Sequence, residues 1–201
     1  MHVFLQTERL LLRRITPDDV DDLVGLDADP AVMRYTTGGR PTPRAEIEDE
    51  RLPRYLRYYE QHPGFGFWAA IERATGAFLG WFHFRPLPDA PPGEIELGYR
   101  LHQSAWGQGY ATEASRALIH KGFTELGVQR VVASTMTVNV GSRRVMEKSG
   151  LRFVRTFMME WPDKIEGDEQ GDVEYALTRA EWLEVQQRER AAEERDPDGL
   201  V

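Results

Sequence analysis

The stretch WGQGYATEA at residues 106–114 places two glycines directly ahead of a long helix-type pattern. Ala114, Leu118 and Gly122 recur on one face of that pattern, and Gly127 is positioned to end it. A helix start carries main-chain N–H groups without partners inside the helix, together with the positive end of the helix dipole. Glycine lacks a Cβ, which permits a positive φ and lets a ligand oxygen approach those amides. The stretch therefore predicts a turn that binds a phosphate group.

Other interpretations of this turn can be tested on the letters. Gly107 and Gly109 also fit a plain tight loop with no ligand. A nucleoside-triphosphate loop requires Lys followed by Ser or Thr after its last glycine, and the stretch has no such pair. A dinucleotide fingerprint requires a small residue where Thr112 stands. Both of these nucleotide motifs fit poorly.

Composition limits the class of protein. The 201 residues suit one domain, and an apolar share of 41% with five tryptophans indicates a globular chain. The absence of cysteine excludes disulfides, thiolate metal sites and a cysteine-bound acyl intermediate. A net charge of −8 disfavours nucleic acid as a partner and is compatible with a cationic one. No apolar run reaches membrane-spanning length and no leader pattern is present, so we expect a cytoplasmic protein.

Strand-type and helix-type patterns alternate along the chain. Strands are predicted at residues 9–13, 67–71, 78–82, 94–101, 130–138, 152–160 and 172–178. Helices are predicted at residues 16–27, 43–60, 111–126, 142–148 and from 180 onward. This order predicts a mixed α/β fold with the glycine turn between the fourth strand and the third helix. We assign residues 1–187 to a single domain and the charged residues 188–201 to a frayed tail.

Four motifs in sequence order resemble the GNAT superfamily of acyl-CoA-dependent N-acyltransferases. Residues 106–111 resemble its signature of Arg or Gln, two variable residues, Gly, one variable residue, then Gly or Ala, with Trp106 in the first place. The continuation at residues 112–114 resembles the ribosomal-protein-alanine N-acetyltransferase (RimJ/RimL-like) branch. So do residues 7–13, residues 96–99 and the two ends of residues 139–151. The resemblance covers residues 6–183, nearly the whole chain.

The resemblance implies an α/β (α+β) GNAT fold, whose mostly antiparallel mixed sheet is splayed between strands 4 and 5 and flanked by helices. Acetyl-CoA is then expected in the gap between those strands, with no metal. Its pyrophosphate would contact the turn formed by Trp106, Gly107, Gln108, Gly109, Tyr110, Ala111 and Thr112, with Trp106 contributing its main-chain amide. Its pantetheine arm would pair with the main chain near Tyr99, Arg100 and Leu101 as an added strand would.

The acceptor amine must be neutral to attack the thioester. Deprotonating a lysine-type amine of pKa ~10.4 at pH 7 costs roughly 4.6 kcal/mol, whereas an α-amine of pKa ~7.7 costs about 1 kcal/mol. Since cysteine is absent, direct attack by the amine is the expected route, and an α-amine requires only a modest base. Glu96 is the first candidate for this base and Glu94, on the same strand face, the second. The alternative is a solvated strand face that carries charge.

Many GNAT enzymes use a tyrosine to protonate the departing thiolate, and Met146 occupies that position here. The resemblance implies Ser142, one turn earlier, as the substitute; otherwise Ser142 is simply a hydroxyl at a helix start. Asn139 is expected to orient the pantetheine or a water molecule, or else to be a residue of the turn after a strand.

These observations predict an acyl-CoA-dependent N-acyltransferase that transfers acetyl to a primary amine. The acceptor class stays open among a protein N-terminus, a polyamine, an amino acid and an aminoglycoside-like molecule, and a longer acyl group is an alternative. A non-catalytic CoA-binding sensor is the second hypothesis and a nucleotide-binding domain the third. The branch also makes a homodimer plausible.

Overall fold

The computed structural model describes residues 2–160 and 164–193. Eight strands of this part of the chain form one sheet in the order β1-β2-β3-β4-β5-β6-β8-β7. They are β1 Val3–Gln6, β2 Leu10–Arg14, β3 Gly66–Glu72, β4 Phe78–Arg85, β5 Glu94–Leu101, β6 Arg130–Met136, β7 Arg152–Phe157 and β8 Asp172–Thr178. β5 and β6 run parallel, and the other neighbouring strands are antiparallel. The mixed, mostly antiparallel sheet is as predicted.

Helices cover both faces of this sheet. They are α1 Val20–Asp27, α2 Pro30–Thr37, α3 Arg44–Glu46, α4 Leu52–Gln61, α5 Tyr110–Glu125, α6 Val140–Lys148 and α7 Arg179–Glu193. A π-helical turn at Ile47–Arg51 joins α3 to α4, so the helix predicted at residues 43–60 is one helical segment. Pro53 does not break this segment, because it comes just after the π-helical turn, whose wider bonding accommodates a residue without an N–H.

The two faces of the sheet contribute to two apolar cores. Trp68 and Phe82 belong to the core that includes Leu118 of α5, whereas Phe67 and Trp81 belong to the core that includes α1 and α4. Alternate residues of a strand point to opposite faces, which explains how neighbouring aromatic residues enter different cores. The sheet is therefore buried between two helical layers along β3 and β4.

The sheet opens between β5 and β6. The two strands pair at three positions, from Glu94 opposite Arg130 to Glu96 opposite Val132. Beyond Glu96, β5 is paired with β4 alone, and β6 continues along β8. We call the opening between residues 97–101 of β5 and residues 133–136 of β6 the wedge. This splayed geometry confirms the predicted fold.

Three details differ from the predictions. β1 was not predicted, since its short apolar run lacks the period-two alternation of a half-buried strand and its pairing with β2 is irregular. α2 was also missed, although Asp29 caps it and Pro30 opens it. α7 extends to Glu193, so residues 188–193 of the predicted tail are helical, and the rest of that tail, residues 194–201, lies outside the described residues.

Candidate active site

The glycine turn has the geometry predicted for an anion site. Gly107 and Gly109 have φ values of 71° and 84°, and Gly109 is the residue that precedes α5. The main-chain N–H groups of residues 107–112 make no hydrogen bond of standard geometry within the described part of the chain. The turn is exposed at residues 106–109. These amides can therefore donate to a ligand at the positive end of the α5 dipole.

The main-chain amide of Trp106 is not one of these free groups. It donates to the carbonyl oxygen of Gln103 at 3.1 Å, within a short 3-10 turn. The indole Nε1 donates to the carbonyl oxygen of Leu101 at 2.9 Å. The amide that the resemblance assigns to the pyrophosphate is therefore used by the local turn in this structure. The side chain instead fastens the glycine turn to the end of β5.

Side chains of the turn divide between anchoring and free groups. Gln108 Nε2 donates to the carbonyl oxygen of Ser104 at 2.6 Å, and the buried Tyr110 donates its hydroxyl to Glu72. Ala111 is half-buried in the core beneath α5. The half-buried Thr112 makes no side-chain hydrogen bond to any described residue, so its hydroxyl remains available to a ligand.

The β5 wall of the wedge presents main chain more than side chains. Arg100 turns to Asp27, with 2.5 Å between Nη1 and Oδ1, and its guanidinium lies over the ring of Trp81 at 5.2 Å. Leu101 is buried in the core. Because β6 has diverged at these positions, the β5 backbone has no strand partner on this side. One of its carbonyl groups, that of Leu101, accepts the hydrogen bond from the Trp106 indole. Such an edge is suited to pair with an extended ligand.

Tyr99 and Ser142 meet across the wedge. The Tyr99 hydroxyl lies 3.0 Å from the carbonyl oxygen and 3.1 Å from Oγ of Ser142, and burial raises the pKa of this phenol. Asn139 caps α6, since its Oδ1 accepts from the Ser142 N–H at 3.2 Å and its Nδ2 donates to Thr135 at 3.0 Å. Met146 is buried in the core and offers no proton donor. The sequence analysis predicts a role for the main chain of Tyr99 and does not predict the contact of its hydroxyl with Ser142.

Glu96 lies at the last paired position of β5, where the wedge opens, with 19% of its side chain exposed. Its Oε2 accepts from Arg85 Nη2 at 2.8 Å and lies 3.2 Å from His83 Nε2. Burial alone would raise the pKa of Glu96, but the interactions with His83 and Arg85 outweigh it and lower this pKa below its usual value. Burial also lowers the pKa of His83, which keeps the ring neutral at pH 7. Glu96 is therefore a carboxylate at neutral pH.

His83 and Arg85 were not predicted as site residues. Both lie on β4 opposite β5, where Arg85 is the pairing partner of Glu96. The sequence signal was their period-two spacing on a strand, but only the register of β4 against β5 assigns them to Glu96.

Glu94, the second candidate base, lies at the closed end of the β5–β6 pairing. It forms an ion pair with Arg130, which also contacts Glu174 at 3.1 Å. Glu94 is thus two residues further from the wedge than Glu96, and its negative charge is paired with Arg130.

In the described part of the chain, no group of three or more His, Cys, Asp or Glu side chains is arranged to hold a metal ion. No helix in residues 2–160 and 164–193 is long and apolar enough to cross a membrane.

Comparisons with known proteins agree with this geometry. Residues 9–152 match the family described as Acetyltransferase (GNAT) domain. The chain is 36% identical over 191 residues to the FsC-acetyl coenzyme A-N(2)-transacetylase of Aspergillus fumigatus, which covers 90% of this chain and 79% of that relative.

Two solved structures share the fold. RimL, a ribosomal L7/L12 alpha-N-protein acetyltransferase in complex with coenzyme A, aligns with a TM-score of 0.73 at 18% identity, over 88% of this chain and 98% of that one. Spermidine N-acetyltransferase from Vibrio cholerae, in complex with CoA and spermine, aligns with a TM-score of 0.71 at 15% identity, over 88% and 99%.

The wedge, the glycine turn and these matches define the class of protein. The chain belongs to the GNAT acetyltransferase family. It is an enzyme, an acetyl-CoA-dependent N-acetyltransferase, and not a non-catalytic sensor.

Proposed function

We propose that this enzyme transfers acetyl from acetyl-CoA to a primary amine by direct attack, with Glu96 as the base and Ser142 as the proton donor to sulfur. The observation that carries the proposal is the placement of Glu96 on β5 and of Ser142, in the first turn of α6, against the same strand. Glu96 and Tyr99 are three residues apart on this strand and so point to opposite faces of the sheet. Tyr99 in turn contacts Ser142.

The reaction needs proton removal and proton delivery at two separate atoms. The amine nitrogen forms a bond to the acetyl carbon while the bond from that carbon to sulfur breaks. The amine proton passes to the Glu96 carboxylate, directly or through water, and the departing sulfur receives the Ser142 hydroxyl proton, which a proton from solvent then replaces. A thioester lying in the wedge would have these two groups on opposite sides of the sheet. Holding both reactants in this geometry contributes much of the rate.

The acceptor we propose is an α-amine. Because its pKa is lowered, Glu96 is a weak base, which suits an amine of pKa ~7.7 better than one of pKa ~10.4. The names of two similar proteins also specify an amine position, N(2) in the Aspergillus fumigatus transacetylase and alpha-N in RimL. We therefore favour an amino-acid-derived molecule or a protein N-terminus over a polyamine. Membership of the RimJ/RimL-like branch, a cytoplasmic location and a homodimer stay proposals.

The test is release of free thiol from acetyl-CoA with a panel of amines. The panel pairs an α-amine with a side-chain amine on one scaffold: Nε-blocked lysine amide against Nα-blocked lysine amide, beside spermidine and an alanine-initiated peptide. We expect the highest kcat/KM with the α-amines. A preference for the side-chain amine or spermidine would contradict the α-amine assignment, and no thiol release with any amine would contradict the proposed chemistry.

A further inference from the structure

A carboxylate stands beside the proposed pyrophosphate site, where it would be expected to repel phosphate. Glu113 lies in the first turn of α5, with 19% of its side chain exposed. Its Oε1 accepts from the Thr7 hydroxyl at 2.6 Å and from the Arg9 main-chain N–H at 2.9 Å. Its Oε2 lies 2.7 Å from Arg9 Nε and 2.6 Å from Nη2. Glu113 is thus fully occupied by the turn between β1 and β2.

Arg9 connects this carboxylate to the glycine turn. Its Nη1 donates to the carbonyl oxygen of Gln108 at 3.0 Å, and its guanidinium lies over the ring of Tyr110 at 4.4 Å. A Cβ built on Gly109 would be 3.4 Å from Nη2. One side chain, oriented by Glu113, therefore contacts Gln108 and Tyr110 and lies beside Gly109 between them.

The contact with the Gln108 carbonyl determines where the next amide points. In a trans peptide the C=O of one residue and the N–H of the next point in opposite directions. While Arg9 holds the Gln108 oxygen, the Gly109 N–H points away from Arg9. A peptide next to glycine turns over with little steric hindrance, since glycine accepts positive and negative φ. A turned peptide would present a carbonyl oxygen where an anion needs an N–H.

We propose that Arg9 and Glu113 are positioning residues for acyl-CoA, which lock the peptide between Gln108 and Gly109 with its N–H toward the pyrophosphate. The inference rests on the proposed pyrophosphate site at residues 107–112. It explains why a carboxylate occupies the first turn of an anion-binding helix. It also gives a role to the two short motifs at residues 7–9 and 112–114.

Arg73 contacts the turn between β1 and β2 from the side opposite to the glycine turn, and it supplies a matched control. Arg73 Nη1 donates to the carbonyl oxygens of Thr7 at 2.9 Å and Glu8 at 2.7 Å, and within the described part of the chain Arg73 makes no hydrogen bond to the glycine turn. Arg73→Met thus removes a guanidinium that contacts the same β1–β2 turn, and it leaves the peptide between Gln108 and Gly109 unaltered. Arg9→Met removes the contact that holds this peptide.

The experiment compares the affinities for CoA and for pantetheine, which lacks the pyrophosphate, by calorimetry. We expect Arg9→Met to weaken CoA binding about tenfold, as for loss of a charge-assisted hydrogen-bond network, and to leave pantetheine binding unchanged. Arg9→Lys should recover part of the loss. Arg73→Met should leave both affinities near the wild-type values. Equal losses for both ligands in Arg9→Met would mean a merely structural role and overturn the proposal.

Glu113→Gln separates positioning from simple attraction. This change removes a negative charge near the phosphates and keeps the positive charge of Arg9, so Coulomb attraction alone predicts tighter CoA binding. The positioning role predicts weaker CoA binding with pantetheine binding unchanged, because Arg9 loses its anchor. Tighter binding would overturn the proposal. Glu113→Gln and Arg9→Lys carry the test if Arg9→Met does not fold.

The wild-type enzyme distinguishes failure of this inference from failure of the proposed site. If it binds CoA no more tightly than pantetheine, residues 107–112 do not hold the pyrophosphate and both proposals are wrong. If it prefers CoA and both Arg9→Met and Glu113→Gln keep that preference, only the positioning role is wrong.

Discussion

The phenol oxygen of Tyr99 lies 3.1 Å from Oγ of Ser142, so a strand on one side of the wedge contacts a helix that starts on the other. The phenol has one proton to donate, and the Ser142 carbonyl oxygen at 3.0 Å accepts it. The 3.1 Å contact then has the Ser142 hydroxyl as donor to the phenol oxygen. A serine hydroxyl is a weak acid, so when its proton shifts toward sulfur the phenol would turn its own proton from the carbonyl oxygen to Oγ and stabilise that oxygen.

Ser142→Ala should lower kcat with acetyl-CoA while its KM changes little, because the hydroxyl acts on the departing sulfur. Tyr99→Phe should lower kcat by a smaller factor, about fivefold to tenfold, since one hydrogen bond is worth roughly 1 kcal/mol. Initial rates of thiol release measure both. Ser115→Ala is the control, as its hydroxyl is buried without a hydrogen-bond partner, and it should keep the wild-type kcat. Full activity in both wedge variants would leave water as the proton source.

Glu96→Gln should lower kcat/KM for the amine by roughly a hundredfold, the low end of the range for loss of a general base. The pKa of Glu96 is lowered, so the carboxylate is ionised above its usual pKa of about 4.3 and loses its charge only in more acidic solution. From pH 6 to 9 the rate should therefore rise with deprotonation of the amine in both proteins, on parallel curves. Glu94→Gln, which alters the ion pair with Arg130, should lower kcat/KM for the amine much less than Glu96→Gln does. Coincident curves for wild type and Glu96→Gln would exclude Glu96 as the base.

Gly107→Ala and Gly127→Ala form a matched pair at opposite ends of α5. Their φ values are 71° and 70°, and an added Cβ meets no protein atom within 4 Å at either position. Both changes should cost about 1 kcal/mol of unfolding free energy from left-handed strain. Only Gly107→Ala should weaken acetyl-CoA binding, since its methyl group would face the ligand. Denaturant unfolding and calorimetry measure the two effects, and equal CoA affinities would contradict the role of the turn.

Gly98→Ala should lower kcat, since a Cβ there would lie 2.4 Å from Nε2 of the buried His83. The ring would have to move, and with it the environment of Glu96 beside it. Gly25→Ala serves as the control, because a Cβ at Gly25 meets nothing within 4 Å. Steady-state rates at saturating acetyl-CoA measure both variants. An unchanged kcat in Gly98→Ala would mean that the His83 position is irrelevant to Glu96.

Local patterns predicted the order of elements and the glycine turn well. A cap, a proline in the first turn and a positive-φ glycine are short-range signals. The turn at residues 107–109 could therefore be predicted from the sequence, as could the helical start at Thr16, where a 3-10 turn at Pro17–Asp19 leads into α1. The splayed sheet followed from family resemblance. The short β1 and α2 were missed because each has few residues in which a period can be recognised.

Contacts between distant elements could not be predicted in the same way. The group formed by Glu96, His83 and Arg85 depends on the register of β4 against β5. The contact between Tyr99 and Ser142 depends on the width of the wedge. Whether the Trp106 amide is free depends on the 3-10 turn formed by the three residues before it. None of these distances is a property of a sequence pattern.

Because only three residue pairs connect β5 to β6, the sheet consists of two halves with a narrow bridge between them. A thioester cofactor bound in that opening would connect the two halves as well as react. A ligand that binds only the folded protein raises its free energy of unfolding by RT ln(1 + [L]/Kd). Amide hydrogen exchange along the ends of β5 and β6 should then slow when CoA is added. The lifetime of the folded enzyme in a cell would rise and fall with the supply of its own acyl donor.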